Sequence, residues 1–173
     1  MEIYIPDLYQ KNIYNLDYQV LKDRGIKYLI FDLDNTIALI TERHAKKETI
    51  DLFKKLKNMG FQMCIASNSL GARVKVFAED LEIKYKCNCR KPKTDKIEEI
   101  IKEFGCKDTE IAIIGDSMTD DIVCGNKIKI TTVLTDQLGK REFIFAKIKR
   151  YKEKKIQKKL RDRNLFTKGR YYV

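Results

Sequence analysis

The chain has 173 residues, a hydrophobic share of 43% and a formal net charge of +11. Those values describe a globular chain of one-domain length and exclude wholesale disorder. The sequence holds no apolar run of the ~18–20 residues that a bilayer crossing needs, which excludes a transmembrane helix.

The opening MEIYIPDLYQ lacks a basic region followed by an apolar stretch. It does not read as a secretory signal, and a cytoplasmic protein is expected. The first 24 residues, aromatic and mixed, are expected to pack on the core. Ile26–Phe31 (IKYLIF) then reads as a fully buried strand. From about Ala45 to Met59, the residues Ile50, Phe53, Leu56 and Met59 share one helical face, and Gly60 supplies a left-handed stop. Phe61–Ala66 is a second strand. Leu70–Leu81 is a helix with Val74, Phe77, Ala78 and Leu81 as its apolar stripe. Ile83–Cys87 reads as an edge strand, and Asp95–Phe104 as a helix ended by Gly105. Ile111–Ile114 is a further buried strand, followed by the loop GDSMTDD. Lys129–Leu134 is a fifth strand, and about Lys140–Arg163 a long basic helix. The alternation predicts an α/β, doubly wound (Rossmann-like) fold with a central parallel sheet, one domain spanning residues 1–173.

Charge is unevenly placed. Residues 1–139 hold 22 Lys and Arg against 22 Asp and Glu, whereas residues 140–173 hold 14 against three. The whole excess therefore lies in the last fifth of the chain. Such a segment is either a solvated helix face with a basic tail or an attractor of phosphates or anionic headgroups.

Two strands end in carboxylates. One reads Phe31-Asp32-Leu33-Asp34-Asn35-Thr36, the other Ile114-Gly115-Asp116-Ser117, with Asp120 and Asp121 close behind. Open α/β sheets bind ligands beyond the carboxyl ends of their strands. If these strands are neighbours, Asp32, Asp34 and Asp116 converge there, and close carboxylates repel unless a cation lies between them. Hard oxygen donors suit Mg²⁺. Asp32 and Asp34 alternate, so they share a site only if the strand has already ended and the chain turns at Asn35-Thr36.

D-L-D-N-T, S-N-S, R-K-P and G-D-x-x-x-x-D together resemble the four motifs of the haloacid dehalogenase superfamily of phosphohydrolases. The opening PDLYQKNIYNLDYQVLKDRGIKYLIFDLDNT, the run GDSMTDDIVCGN and REFIFAKIKRYKEKKIQKKL resemble the YqeG family, of subfamily IIIA, which is similar to the phosphatidylglycerophosphate phosphatases. The resemblance implies the haloacid dehalogenase fold. It implies Asp32 as nucleophile, forming an aspartyl-phosphate, and Asp34 as acid and then base. It implies Mg²⁺ held by Asp32, the Asp34 carbonyl and Asp116. Ser67 would bind a phosphoryl oxygen, Lys91 would neutralise charge there, and Asn68 would orient the leaving group. Asp121 would support the metal from behind, although Asp120 beside it, where the family has threonine, leaves that assignment ambiguous.

Only 32 residues separate Asp34 from Ser67, enough for one helix and one strand, so no cap fits and an open site is expected. An open site suits a bulky substrate. The expected substrate, by resemblance, is phosphatidylglycerophosphate, an anionic lipid. A soluble sugar or nucleotide phosphate is the alternative within the same chemistry. A non-catalytic RNA-, ribosome- or membrane-binding protein is the alternative outside it, although no recognised nucleic-acid-binding motif supports RNA or DNA. In the basic helix, Phe145, Ile148, Ile156 and Leu160 are apolar, which fits a helix packed on the sheet, chiefly by its first half, or an interfacial one. The tail aromatics Phe166, Tyr171 and Tyr172 fit a bilayer surface or a disordered end. The cysteines Cys64, Cys87, Cys89, Cys106 and Cys124 are expected to be free thiols, and Cys87-x-Cys89 lacks the partner half-site that a structural zinc requires. His44 is expected at the surface. Oligomeric state is not encoded in any feature of the sequence.

Overall fold

The structure is a computed structural model that describes the backbone of residues 1–139 and 144–173 and the side chains of 1–139 and 148–173. Six strands form one parallel sheet: β1 (Leu8–Gln10), β2 (Tyr28–Phe31), β3 (Gln62–Ala66), β4 (Lys84–Lys86), β5 (Ile111–Gly115) and β6 (Thr131–Thr135). Their order is β1-β6-β5-β2-β3-β4. Helices connect or cover them: α1 (Tyr18–Asp23), α2 (Lys47–Asn58), α3 (Gly71–Leu81), α4 (Asp95–Phe104), α5 (Val123–Lys127) and α6 (Ile144–Arg161). This is the doubly wound α/β architecture that the alternating pattern predicts.

Successive side chains of a strand point to opposite faces, so a strand buried on both faces must be apolar throughout. β2 shows this directly. Leu29 and Phe31 join one core with Leu21 of α1, Phe53 and Leu56 of α2, and Val74 and Phe77 of α3. Ile30 faces the other way, into a core with Ile97 and Ile100 of α4 and Cys124 of α5. Gly60 (φ +93°) and Gly105 (φ +64°) supply the left-handed residues at the ends of α2 and α4.

The first 24 residues pack on the core, and they do so through an unforeseen strand. Leu8 pairs with Val133 and Gln10 with Thr135, adding β1 in parallel beside β6. The C-terminal tail then covers that edge, because Tyr9 and Tyr172 exchange main-chain hydrogen bonds of 2.8 Å in both directions. Phe166 and Tyr172 pack their rings on Tyr9 at 5.0 and 6.2 Å. Those two tail aromatics are therefore committed to the protein's own sheet edge.

The basic helix packs differently from the expectation. Ile148 in its first half is 65% exposed, while Ile156 and Leu160 in its second half are buried. The expected start at Lys140 and the Phe145 side chain fall outside the described residues. No described helix is long and apolar enough to cross a membrane.

The chain runs from β2 to β3 and β4 on one side, then returns to β5 and β6 on the other. The order reverses between β2 and β5, and at such a switch point the connecting loops diverge and leave a crevice at the carboxyl edge. Phe31 lies level with Ile65 and Ile114, so the residues after β2, β3 and β5 emerge side by side there.

Candidate active site

β2 ends at Phe31, and the Asp32 amide makes one last bond, 2.9 Å to the Ile114 carbonyl of β5. The chain then turns. Asn35 adopts φ +63°, a conformation that Asn tolerates better than most residues, and its amide bonds Ala38 O at 2.7 Å. The turn leaves Asp32 and Asp34 on the same cleft. Thr36 Oγ1 donates to Asp116 Oδ1 at 3.3 Å, tying the turn to the end of β5.

Lys91 sits at the centre. Its side chain is 1% exposed, and its ammonium donates to Asp32 Oδ1 at 2.7 Å, Asp121 Oδ1 at 2.6 Å and Ala66 O at 2.6 Å. The three bonds use all of its protons. Burial alone would push Lys91 down, but the Asp121 and Asp32 carboxylates outweigh it and hold the ammonium above its ordinary value. Asn68 clamps the same residue by its main chain. Its Oδ1 accepts from Lys91 N at 2.7 Å and its Nδ2 donates to Lys91 O at 3.0 Å. The amide expected to meet a leaving group thus holds the R-K-P segment in place. Ser67 is buried at the end of β3, and its Oγ accepts from Ser69 N at 3.1 Å, which shapes the bend before α3.

Asp116 and Asp121 come from one loop. After β5 the chain forms a π-helical turn over Met118–Ile122. Ser117 caps it, accepting from Asp120 N at 3.2 Å, while Asp121 Oδ2 folds back to accept from Ser117 N at 3.1 Å. Gly115 makes this possible. A Cβ there would lie 2.2 Å from the Asp121 carboxyl carbon. Between the adjacent aspartates the fold discriminates clearly. Asp121 is buried against Lys91, whereas Asp120 pairs with Lys149 at 2.6 Å.

Oxygen atoms of Asp32, Asp116 and Asp121 lie within 4.8 Å of one another. Burial, together with the neighbouring Asp121, lifts Asp32 up to about 7 against the opposing pull of Lys91. Burial also raises Asp116 well above the usual carboxylate range, against the pull of Arg150. Such mutual repulsion is what a bound cation relieves, and an all-oxygen donor set fits a hard divalent ion. The cleft encloses about 310 Å³ and is lined by Asp32, Asp34, Ser67, Lys91, Asp116 and Asp121, among others.

Four contributors add to the site: Ser69 closes the S-N-S motif, whereas Arg73, Arg150 and Glu153 carry no signal in the motifs. Arg73 of α3 pairs with the Asp34 carboxylate and also donates to Leu39 O at 2.7 Å and Glu42 O at 2.8 Å. Ser69 donates to the other Asp34 oxygen. Arg150 of α6 pairs with the Asp116 carboxylate and bonds Asp116 O at 3.0 Å. Glu153, 3% exposed, accepts from Ser117 Oγ at 2.9 Å, Thr119 N at 3.0 Å and Arg150 at 2.7 Å. The basic run hides these two in a stretch that reads as solvated. His44 lies outside the cleft, exposed and 3.1 Å from Asp80. Cys89 Sγ lies 3.4 Å from the Lys86 carbonyl, and all five cysteines are free thiols.

Fold and site together place the protein among the phosphatases of the haloacid dehalogenase type, hydrolases of phosphoric monoesters. The family model described as mitochondrial PGP phosphatase matches residues 1–139, and the chain belongs to that family. A probable phosphatase of Bacillus subtilis (strain 168), YqeG, is 29% identical over 155 residues, 90% of each chain. The chloroplastic/mitochondrial phosphatidylglycerophosphate phosphatase 1 of Arabidopsis thaliana is 29% identical over 159 residues, which is 84% of this chain and 45% of that protein. Solved structures share the fold. The cobalt-bound deoxy-D-mannose-octulosonate 8-phosphate phosphatase YrbI of Haemophilus influenzae matches with a TM-score of 0.52 at 20% identity, over 68% of this chain and 82% of its own. The N-terminal phosphatase domain of BF1531 from Bacteroides fragilis, complexed with Mg, matches with a TM-score of 0.51 at 19% identity, over 67% of this chain and 37% of its own.

Proposed function

We propose that the enzyme, a single domain, hydrolyses a phosphomonoester through an aspartyl-phosphate on Asp32, with phosphatidylglycerophosphate as substrate. The observation that carries the reading is the bridge of Lys91 between Asp32 and Asp121, beside Asp116, at the carboxyl ends of the two central strands. A carboxylate nucleophile must approach an anionic phosphoryl group, and fixed positive charge beside it lowers that cost.

In this mechanism an Asp32 oxygen bonds to phosphorus as the bond to the leaving oxygen breaks. Asp34, held at the cleft by Arg73 and Ser69, gives its proton to that oxygen. Water then attacks phosphorus while Asp34 takes a proton back, which releases phosphate and restores Asp32. Ser67 binds a phosphoryl oxygen, Asn68 keeps Lys91 in place, and Asp121 orients the ammonium. The Asp32, Asp34 and Asp116 positions would hold Mg²⁺, with Asp121 close enough to share in it, and the ion when bound would offset phosphoryl charge. The metals carried by the two structural neighbours support a divalent ion here.

The family match and the Arabidopsis relative support the lipid substrate. Exposed Lys152, Lys155, Lys158 and Lys159 on α6 favour a peripheral position at the cytoplasmic face of an anionic membrane. The test is phosphate release from phosphatidylglycerophosphate in mixed micelles with Mg²⁺, with Asp32→Asn as the blank. Release by the wild type alone is expected. Release from soluble sugar or nucleotide phosphates but not from the lipid would overturn the substrate, and equal release by Asp32→Asn would overturn the mechanism.

A further inference from the structure

A second cavity, of about 190 Å³, lies under α6 at the carboxyl ends of β1 and β6, one strand over from the catalytic cleft. Asp116 and Arg150 line both cavities and so form the wall between them. The carboxylates around it are already engaged. Asp136 accepts from Tyr9 and Tyr171 hydroxyls at 2.5 Å each. Glu153 is bonded by Arg150, Ser117 and Thr119, and Asp116 by Arg150 and Thr36. The donors are in a different state. Lys154 and Lys168 line the cavity and form no ion pair or hydrogen bond among the described residues. Thr135, 3% exposed, also lines it, and its buried hydroxyl has no hydrogen-bond partner among them. A buried hydroxyl left unbonded is costly, so a group that satisfies it is favoured there.

We infer that this cavity is a subsite for a second anionic group of the substrate, a phosphodiester joined to the reacting monoester through a short polyol. Lys154 and Lys168 supply the charge, and Thr135 supplies a hydroxyl that donates to a diester oxygen. The inference rests on the hydrolytic reading above and deepens it. Of the two phosphates in such a substrate, the monoester meets Asp32 and the diester lies across the Arg150 wall. The site thereby separates phosphatidylglycerophosphate, or its free headgroup, from simple phosphomonoesters.

Two probes test it. Glycerophosphoglycerol carries the diester but no monoester, so its binding does not depend on turnover. It should shift the Thr135 methyl resonance of the wild type, and Lys154→Gln/Lys168→Gln should weaken that binding about fivefold or more. Glycerophosphoglycerol phosphate and glycerol 3-phosphate are then compared as substrates. The ratio of their kcat/KM values should fall about fivefold in the double variant and in Thr135→Val. An unshifted Thr135 methyl, or an unchanged ratio and unchanged binding in the variants, would overturn the subsite. Bound glycerophosphoglycerol with neither of these esters nor the intact lipid in micelles hydrolysed would overturn the hydrolytic reading and leave the subsite standing. Comparing the headgroup with the intact lipid in micelles tells whether the acyl chains add to recognition.

Discussion

Arg150 reaches from α6 to Asp116 and holds it twice, at the carboxylate and at the main-chain carbonyl, the latter at 3.0 Å. A helix from the far end of the chain therefore supplies the cation beside the buried acid at the end of β5. Without metal, Arg150 compensates Asp116. With a divalent ion on Asp116, the two cations oppose one another.

Arg150→Gln should accordingly act in opposite directions on the two states. The metal-free protein should lose about 1–3 kcal/mol, because a largely buried carboxylate loses its partner at a position where Arg150 is 21% exposed. Mg²⁺ should bind several-fold more tightly. Thermal melts in chelator and calorimetric Mg²⁺ titration read the two effects separately. Weaker Mg²⁺ binding in the variant would contradict the opposition.

Lys91→Met tests the bridge. The substitution keeps an unbranched side chain one atom shorter and removes the charge, which leaves Asp32 and Asp121 facing each other in a buried site. Breaking a buried pair in this way costs roughly 3–5 kcal/mol. Phosphate release should fall by at least ~100-fold, the scale for losing a fixed charge at the reacting group. Urea melts and phosphate release measure both, and Mg²⁺ should recover part of the stability by screening the two carboxylates.

The raised Asp32 carboxyl predicts an unusual pH response. A carboxyl lifted from its ordinary value of 3.8 up to about 7 binds its proton more tightly folded than unfolded. Its contribution to stability is present below about pH 4 and is lost as pH rises toward 7. Asp116, raised by burial, pulls in the same direction. In chelator, the melting temperature of the wild type relative to Asp32→Asn should therefore fall between pH 5 and pH 7. Saturating Mg²⁺ should flatten the difference. A rising difference would mean that Lys91 dominates the pair.

The parts of this protein that the sequence reveals are those whose reasons are local. Runs such as IKYLIF and IAIIG announce buried strands, and a carboxylate directly after such a run falls at a strand end wherever the strands pair. Asp32 and Asp116 are legible for that reason and Asp34 through the turn at Asn35-Thr36, whereas Lys91 is marked only by the resemblance of its R-K-P motif. The missed parts depend on distant partners. β1 has three residues and exists through its register on β6 and its bridge to Tyr172. Glu153 is a charged residue buried by four donors that lie 3 to 36 residues away, among fourteen Lys and Arg that read as solvated. Arg73 and Arg150 carry no local mark that separates them from other basic residues.

Glu153 offers the most discriminating test of how α6 serves the cleft. One of its carboxylate oxygens accepts from Ser117 Oγ, Thr119 N and Thr119 Oγ1 at 2.9–3.1 Å, and the other accepts from Arg150. The Ser117–Thr119 turn sits between Asp116 and Asp121, so its position sets theirs. Glu153→Gln preserves shape and one accepting oxygen but adds donors where only donors already point. It should cost about 1–3 kcal/mol in the metal-free protein through the mismatched Arg150 and amide contacts. It should also weaken Mg²⁺ binding, since the Ser117–Thr119 turn next to Asp116 loses the carboxylate that anchors it, whereas Arg150→Gln is expected to strengthen it. The two substitutions remove opposite ends of one ion pair, and opposite shifts in Mg²⁺ affinity would show that Glu153 acts through loop geometry and Arg150 through charge. Shifts of the same sign would mean that the pair acts as a single structural unit.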